Sequence, residues 1–436
     1  AANNQVWGGV SALCMLSPVA NEEESYKKSI ALQLHLFSWE LPDTVLVLTR
    51  SGTLFVLGTP KKCAFVQEAA GSHFDDTINV ITLTRDKGDA NAAHHAKILE
   101  GIREGNEQGD LKIGMLLKES FTGPMASGWL EAVKAAGVES VDISPGLGLI
   151  LAVKDPVEQE NVKRAAILTN KVMKRGFVEK MQDVIEHDTN ITHEALAQEV
   201  DDIIEKPSLI QLNVADGLVE SCFFPIVQSG GDYDLKPSAQ STSDNLKYDI
   251  IVCNMGARYK SYCASMARSF FVDPPRKVQS TYRTLLALYS RCLDELRPGK
   301  QFREVVEAAH RYLDQKAPIL RPHLVRNLGF SLGLDYRDSS MLISSKNHFR
   351  LKEGMVLNLS VGLQGVPLSS KDRQGTNMAM ETFSVMIADT VIVKEEGNEV
   401  WTKHSKEWSD VSYNLADTAD NQADDTNYKE NVGTAW

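Results

Sequence analysis

Residues able to do chemistry are sparse in this chain, and the most suggestive of them share one stretch. Ile250–Val272 reads IIVCNMGARYKSYCASMARSFFV, two extended apolar runs with a turn expected around Met255-Gly256-Ala257. Along the second run the two-residue period of a strand puts Cys263, Ser265, Ala267 and Ser269 on one face. Tyr262, Met266, Arg268 and Phe270 fall on the other. The first face is small and faintly polar, as a pocket floor would be, although a half-buried hairpin of no chemical consequence has the same pattern. Other groupings carry less. His94-His95 are adjacent, so on a helix they point about 100° apart, and a solvated helix face is expected rather than a metal pair. Gly146-Leu147-Gly148 lacks the third glycine of a dinucleotide loop and reads as a turn. Six cysteines (Cys14, Cys63, Cys222, Cys253, Cys263, Cys292) show no paired spacing, which suits a reducing compartment and gives no zinc pattern.

The elements that must position these residues fall into two lobes and a tail. Over 1–154, strands at Thr44–Thr49 and Thr53–Leu57 flank a Ser51-Gly52 hairpin signal. Buried strands are expected at Val80–Leu83 and Lys112–Leu117, and helices at His94–Arg103 and Gly128–Ala136, giving an α/β lobe. A boundary follows Lys154. Asp155-Pro156-Val157-Glu158 combines an N-cap acid, a proline at the first helical position and a capping-box glutamate, so a long helix should run to about Met181. A second helix should occupy Thr192–Lys206, stopped by Pro207. Phe223–Gly231 reads as a strand entering a glycine turn. After the hairpin, Val278–Arg297 and Phe302–Lys316 read as amphipathic helices, with strands near Gly329–Tyr336, Met355–Leu363 and Phe383–Val393. The second lobe is thus α+β over 155–404. From Ser405 to Trp436 the pattern dissolves, with seven acids against two bases, and 405–436 is expected to be an acidic, disordered linker.

Net charge is −12, and no basic patch interleaves with aromatics, so direct nucleic-acid binding is not expected. No run approaches the roughly 18 apolar residues of a membrane span, and the start carries no secretory signal pattern.

The Ile250–Val272 hairpin resembles that of the pita-bread metallopeptidases, the fold of methionine aminopeptidase, aminopeptidase P and creatinase. Gly256, Tyr259, Tyr262, Arg268 and Phe270 match that family's frame. Where the family has two metal-binding aspartates stand Asn254 and Ser265, eleven residues apart. In Asn327-Leu328-Gly329-Phe330-Ser331-Leu332-Gly333-Leu334-Asp335, Phe330 takes the place of the metal-binding histidine, and Arg337 that of a second histidine. Gly354-Met355-Val356-Leu357 matches the strand leading to the first glutamate ligand, where Ser360 stands. Ala388-Asp389-Thr390-Val391 matches Glu-Asp-Thr-Val, with Ala388 at the second glutamate. Lys236 stands near another catalytic histidine. The resemblance spans about Asp155–Val400 and implies a pita-bread lobe in which all five ligand positions are replaced. A two-metal centre needs carboxylates and an imidazole around hard dications. One amide carbonyl, two hydroxyls, a phenyl ring and a methyl group do not supply them. The resemblance therefore implies no metal, no cofactor and no peptidase activity. Cys263 has no histidine in any matched motif to activate it (His323 and His348 only flank), so an inert core cysteine is expected. Lys236, Tyr259, Tyr262, Arg268 and Arg337 are the candidate rim of the old cleft.

Four further stretches narrow the resemblance: KSIALQLHLFSWELPDTVLVL from Lys28, PIVQSGGDYDLKPS from Pro225, YKSYCASMARSFFVDP from Tyr259 and NLGFSLGLDYRDSSMLISSKN from Asn327. Together they resemble the N-terminal domains of the large subunit of FACT, a histone chaperone family. This implies a non-catalytic module in the nucleus, on chromosomes, that binds core histones and their tails during transcription and DNA replication. The other FACT subunit would be engaged through domains outside this stretch. Two alternatives stay open, a docking domain for replication or transcription factors and a metal-independent hydrolase.

Overall fold

The computed structural model describes residues 6–19, 27–73, 77–86, 91–104, 106, 111–215, 217–376 and 378–414. They form two compact units, Ala1–Leu151 and Ala152–Trp436. Among the described residues no helix is long and apolar enough to cross a membrane.

The first unit is a six-stranded mixed sheet in the order β4-β3-β2-β1-β5-β6. Its strands are β1 (Ala12–Leu16), β2 (Val45–Thr49), β3 (Thr53–Gly58), β4 (Asn79–Thr84), β5 (Lys112–Met115) and β6 (Glu139–Asp142). Helices α1 (Lys28–Phe37), α2 (Pro60–His73), α3 (Ala92–Glu104), α4 (Pro124–Ala135) and α5 (Ser144–Ala152) complete it. Val45, Val47, Phe55, Ile98, Ile113 and Trp129 centre its core. Three expectations are corrected here. His95 is buried, with its ring edge-on to Trp129 at 5.7 Å, because α3 turns its Ile98 and Ile102 side to the sheet and takes His95 with it. The Gly146-Leu147-Gly148 stretch lies inside α5 rather than in a turn. A Cβ at Gly146 would stand 2.7 Å from the ring of Trp7, so that glycine serves close packing. The Val80–Leu83 strand sits at the sheet edge and only Leu83 of it is buried.

The second unit is α+β. Its first helix, α6 (Pro156–Lys171), begins with the expected reciprocal cap. Asp155 Oδ1 accepts from the Glu158 amide at 2.8 Å, and Glu158 Oε2 accepts from the Asp155 amide at 2.9 Å. The helix widens into a π-helical turn over Val172–Val178 and continues as α7 (Glu179–Glu186). Helices α8 (His193–Glu205), α9 (Arg276–Glu295) and α10 (Phe302–Lys316) follow. The nine-stranded sheet runs β11-β12-β13-β10-β9-β7, with β8, β14 and β15 attached at β9, β13 and β10. Its members are β7 (Val219–Ser221), β8 (Ile226–Gln228), β9 (Ile250–Tyr259), β10 (Tyr262–Val272), β11 (Gly329–Ser331), β12 (Val356–Pro367), β13 (Thr382–Ile392), β14 (Glu399–Val400) and β15 (Ser412–Tyr413).

The hairpin spans the expected Ile250–Val272, but its turn lies further along the chain. Every residue of β9 is buried, and the chain reverses at Lys260-Ser261, both with positive φ of 48° and 67°, as the tight hairpin turn requires. Gly256, expected in the turn, lies mid-strand. A Cβ there would meet the Ala264 carbonyl oxygen at 2.7 Å and the Ser265 Cβ at 2.8 Å, so it marks close approach instead of reversal.

The two halves of this sheet meet at β10 and β13, where the ladder holds only at Ala267 opposite Ala388. Side chains stitch the rest of the seam. Ser269 Oγ donates to the Met386 carbonyl at 3.1 Å and accepts from the Met386 amide at 2.8 Å. Thr390 Oγ1 does the same for Ser265, at 2.9 Å each way. The guanidinium of Arg268 donates to Asp389 at 2.7 Å, to the carbonyls of Ala267 and Ala388, and to that of His404. Arg268 and Asp389 are both fully buried. Asp389 also accepts from Thr402 Oγ1 at 2.8 Å and from Lys406 Nζ at 3.1 Å.

That network corrects the expected exit at Ser405. The chain stays packed through Tyr413: Trp408 of α11 (Trp408–Val411) stacks on Phe271 at 5.1 Å, and β15 pairs with β10. One buried cation and one aromatic hold a stretch whose composition looks like linker. Residues 415–436 of that expected linker lie outside the described residues.

Removing one partner of such a pair strands the other in a dry interior. Arg268→Ala should therefore cost about 3–5 kcal/mol in denaturant unfolding. A loss below about 1 kcal/mol, the size of a surface contact, would contradict this reading of the seam.

Candidate functional site

The five positions that the resemblance assigns to metal ligands are brought together on one face of the second unit's sheet. Asn254, Ala267, Ala388 and Ser360 occupy one register row across β9, β10, β13 and β12. Ser265 lies two residues from Ala267, and Phe330 faces Asn358, two residues from Ser360, so both share that face one row along. Convergence is therefore kept. An open floor is not: the five are between 0% and 9% exposed.

Aromatic side chains cover the Ser265 row. The Phe330 and Tyr336 rings meet edge-on at 5.5 Å, and Tyr336 and Phe223 lie 4.6 Å apart. The Phe223 ring also comes within 3.2 Å of where a Gly256 Cβ would be. Burial pushes the Tyr336 hydroxyl well above its ordinary range, with a hydrogen bond to Ser265 acting against that. Beneath them Ser265 Oγ accepts from Asn358 Nδ2 at 2.9 Å. Phe330 belongs to a core cluster with Leu332, Val356, Cys263 and Trp401. Gly329 makes the Phe330 position possible, because at its φ of +129° a Cβ would collide with the Asn358 carbonyl oxygen at 1.9 Å.

The candidate rim divides. Lys236 is exposed and pairs with Asp234 at 3.4 Å, and Arg337 is exposed nearby in sequence to the Tyr336 cover. Tyr259, Tyr262 and Arg268 are corrected, since the strand period turns them to the opposite face. Tyr259 lies under the Arg164 guanidinium at 5.6 Å. Tyr262 donates to Glu158 Oε1 at 3.0 Å, and Arg268 is the buried seam cation. They hold helix α6 and the seam rather than edging a cleft.

Sequence reasoning missed the residues that close the site, Phe223, Tyr336 and Asn358. Asn358 was within reach of the two-residue period of β12, which aligns it with Ser360. No sequence spacing signals that Phe223 and Tyr336 stack. Nearby, Lys154 is buried and its side chain runs against Gly333, where a Cβ would meet Nζ at 2.7 Å. Burial pulls its ammonium down to about 8 against the opposing pull of Glu158, Asp338 and Asp335.

The donor set does not fit a pair of divalent metals. Among the described residues no group of three or more His, Cys, Asp or Glu side chains is placed to hold an ion. What the floor offers is an amide, two hydroxyls and hydrocarbon, with the Ser265 hydroxyl already held by Asn358.

Comparison with known proteins agrees with this geometry at two levels. Residues 160–395 match the model of metallopeptidase family M24, and residues 1–146 that of the FACT complex subunit SPT16 N-terminal lobe domain. The second unit is thus a pita-bread domain of the M24 class. An X-Pro aminopeptidase from Thermotoga maritima, 18% identical, shares the fold with a TM-score of 0.64, covering 95% of this chain and 100% of that one. A solved N-terminal domain of FACT complex subunit SPT16 from Cicer arietinum is 31% identical, with a TM-score of 0.84 over 94% of this chain and 96% of that one. The chain belongs to the family of SPT16 N-terminal domains. FACT complex subunit SPT16 of Arabidopsis thaliana is 33% identical over 416 residues, which cover 94% of this chain but 38% of that protein's length.

If the floor is folded by packing and neutral hydrogen bonds, a carboxylate returned to it should be unwelcome. Ser265→Asp should lower stability by roughly 3 kcal/mol at pH 7, the cost of a buried unpaired charge. The introduced acid would titrate above its unfolded value, so the loss should shrink as pH falls toward 4. Unchanged stability at pH 7, or recovery on adding Mn²⁺, would contradict this account.

Proposed function

We propose that this chain is a non-catalytic, histone-binding module of a chromatin-reorganising chaperone, acting in the nucleus on chromosomes during transcription and replication. One observation carries the reading. In a chain of the SPT16 N-terminal domain family, the two adjoining rows where M24 peptidases would hold metal carry Asn254, Ser265, Phe330, Ser360 and Ala388, all buried, with aromatic rings over the Ser265 row. Hydrolysis through a relocated thiol is disfavoured by the complete burial of Cys263, since a thiol nucleophile must meet its substrate and a base. An acidic chain suits basic histone partners by long-range attraction. The sealed floor moves peptide contact off the five former positions and onto outer surfaces. The other FACT subunit would be reached through parts of the full-length protein beyond this stretch. Docking of replication or transcription factors is the second reading, favoured by the same closed floor.

Binding of this chain to intact and tail-less core histones decides between them. Micromolar or tighter binding should survive ionic strength at which the Debye length is about 8 Å. Binding that disappears on raising salt to that level would reduce the histone reading to unspecific attraction and favour the docking role.

A further inference from the structure

The second unit carries a cavity of about 750 Å³ walled by the π-helical turn, by α7 and by the chain from Lys403 to Tyr413. Four permanent cations line it, Lys171, Lys174, Arg175 and Lys403, against two carboxylates, Glu179 and Asp410. The lining is thus net positive by two, on a chain whose net charge is −12. Lys174, Arg175 and Lys403 are exposed. The π turn places consecutive Lys174 and Arg175 at this wall, and π-helical turns of this kind recur at functional positions.

The cavity is built rather than incidental. Asn170 clamps its far wall, donating to the Trp401 carbonyl at 3.1 Å and accepting from the His404 amide at 3.0 Å. The His404 carbonyl in turn accepts from the buried Arg268 guanidinium. Burial, with Arg268 and Lys174 adding to it, pulls the His404 imidazole down to about 4. It is therefore neutral at pH 7 and leaves the four cations to set the field.

We propose that this cavity is a binding site for an acidic peptide segment. Carboxylates on an extended chain match cations spread over two walls. Duplex DNA, with a charge about every 1.7 Å of axis, fits less well. The cavity holds two carboxylates of its own, is too small to admit a duplex, and belongs to a strongly acidic chain. The site is opposite in sign to a surface that would hold a basic histone tail.

The test uses the full chain and a fluorescent oligo-glutamate of about ten residues, long enough extended to cross the cavity. Saturable binding is expected at physiological ionic strength, with none for the matching oligo-glutamine. Lys174→Glu with Lys403→Glu should weaken it at least about tenfold. Lys346→Glu with Lys352→Glu makes the same charge change at exposed positions outside the cavity and should leave it intact. Binding should also raise the titration midpoint of His404, followed by NMR, because an anion beside it favours its protonated form. Absence of saturable binding, equal weakening by both double variants, or tighter binding of duplex DNA through Lys174 and Lys403 would each overturn the proposal.

Discussion

The buried pair of Arg268 and Asp389 is the constraint on which the second unit depends. Two halves of its sheet meet at β10 and β13, where backbone pairing nearly lapses. A gap in a ladder leaves carbonyls unsatisfied, and leaving such groups dry costs more than the bonds themselves contribute. Arg268 meets the need because a planar guanidinium presents five donors in fixed directions. It answers Ala267 and Ala388 across the seam, and His404 from the closing segment. Its own charge is met by Asp389, which also draws in Lys406. The sheet, the segment after Trp401 and the wall of the basic cavity are thereby tied to one cation.

On the opposite face of the sheet the row from Asn254 to Ser360 crosses the same seam. A metal centre at such a row would need several buried carboxylates, and these are tolerable only while dications neutralise them. Losing some of either would leave uncompensated charge in a dry interior. The row itself holds no carboxylate. Alanine, serine and asparagine occupy the row, and rings of Phe223, Phe330 and Tyr336 take the space above the next. The sheet's frame is held by seam contacts that involve no ion. Gly256, Gly329 and the seam contacts are requirements of backbone approach and hydrogen bonding, indifferent to what the floor holds.

Much of this was legible in the sequence, and the failures have physical causes. The cap at Asp155, the ends of the Phe302–Lys316 helix and the face shared by Cys263, Ser265 and Ala267 follow from local rules of period and capping. The π turn that carries the first helix past Met181 to Glu186 has no such signal. That the five floor positions share one face was legible because family spacing fixes their register on the strands. Gly256 was misread as a turn, since a glycine in an apolar run signals either reversal or close approach and only the neighbouring strand decides. Tyr259, Tyr262 and Arg268 are expected at the cleft rim because motif matching ignores which way a strand turns its side chains. The packing of Lys406 and Trp408 was hidden because their partners, Asp389 and Phe271, lie far away in sequence. Polar composition alone therefore looked like linker.

The central claim is that this floor folds and persists by packing, without ions. The most direct measurement is the divalent metal content of the purified chain, paired with its thermal unfolding before and after exhaustive chelation. The account predicts metal far below one equivalent and the same Tm in EDTA, Mn²⁺ and Co²⁺. Stoichiometric metal whose removal lowers Tm by several degrees would contradict it, since bound ions stabilise the folded state by mass action.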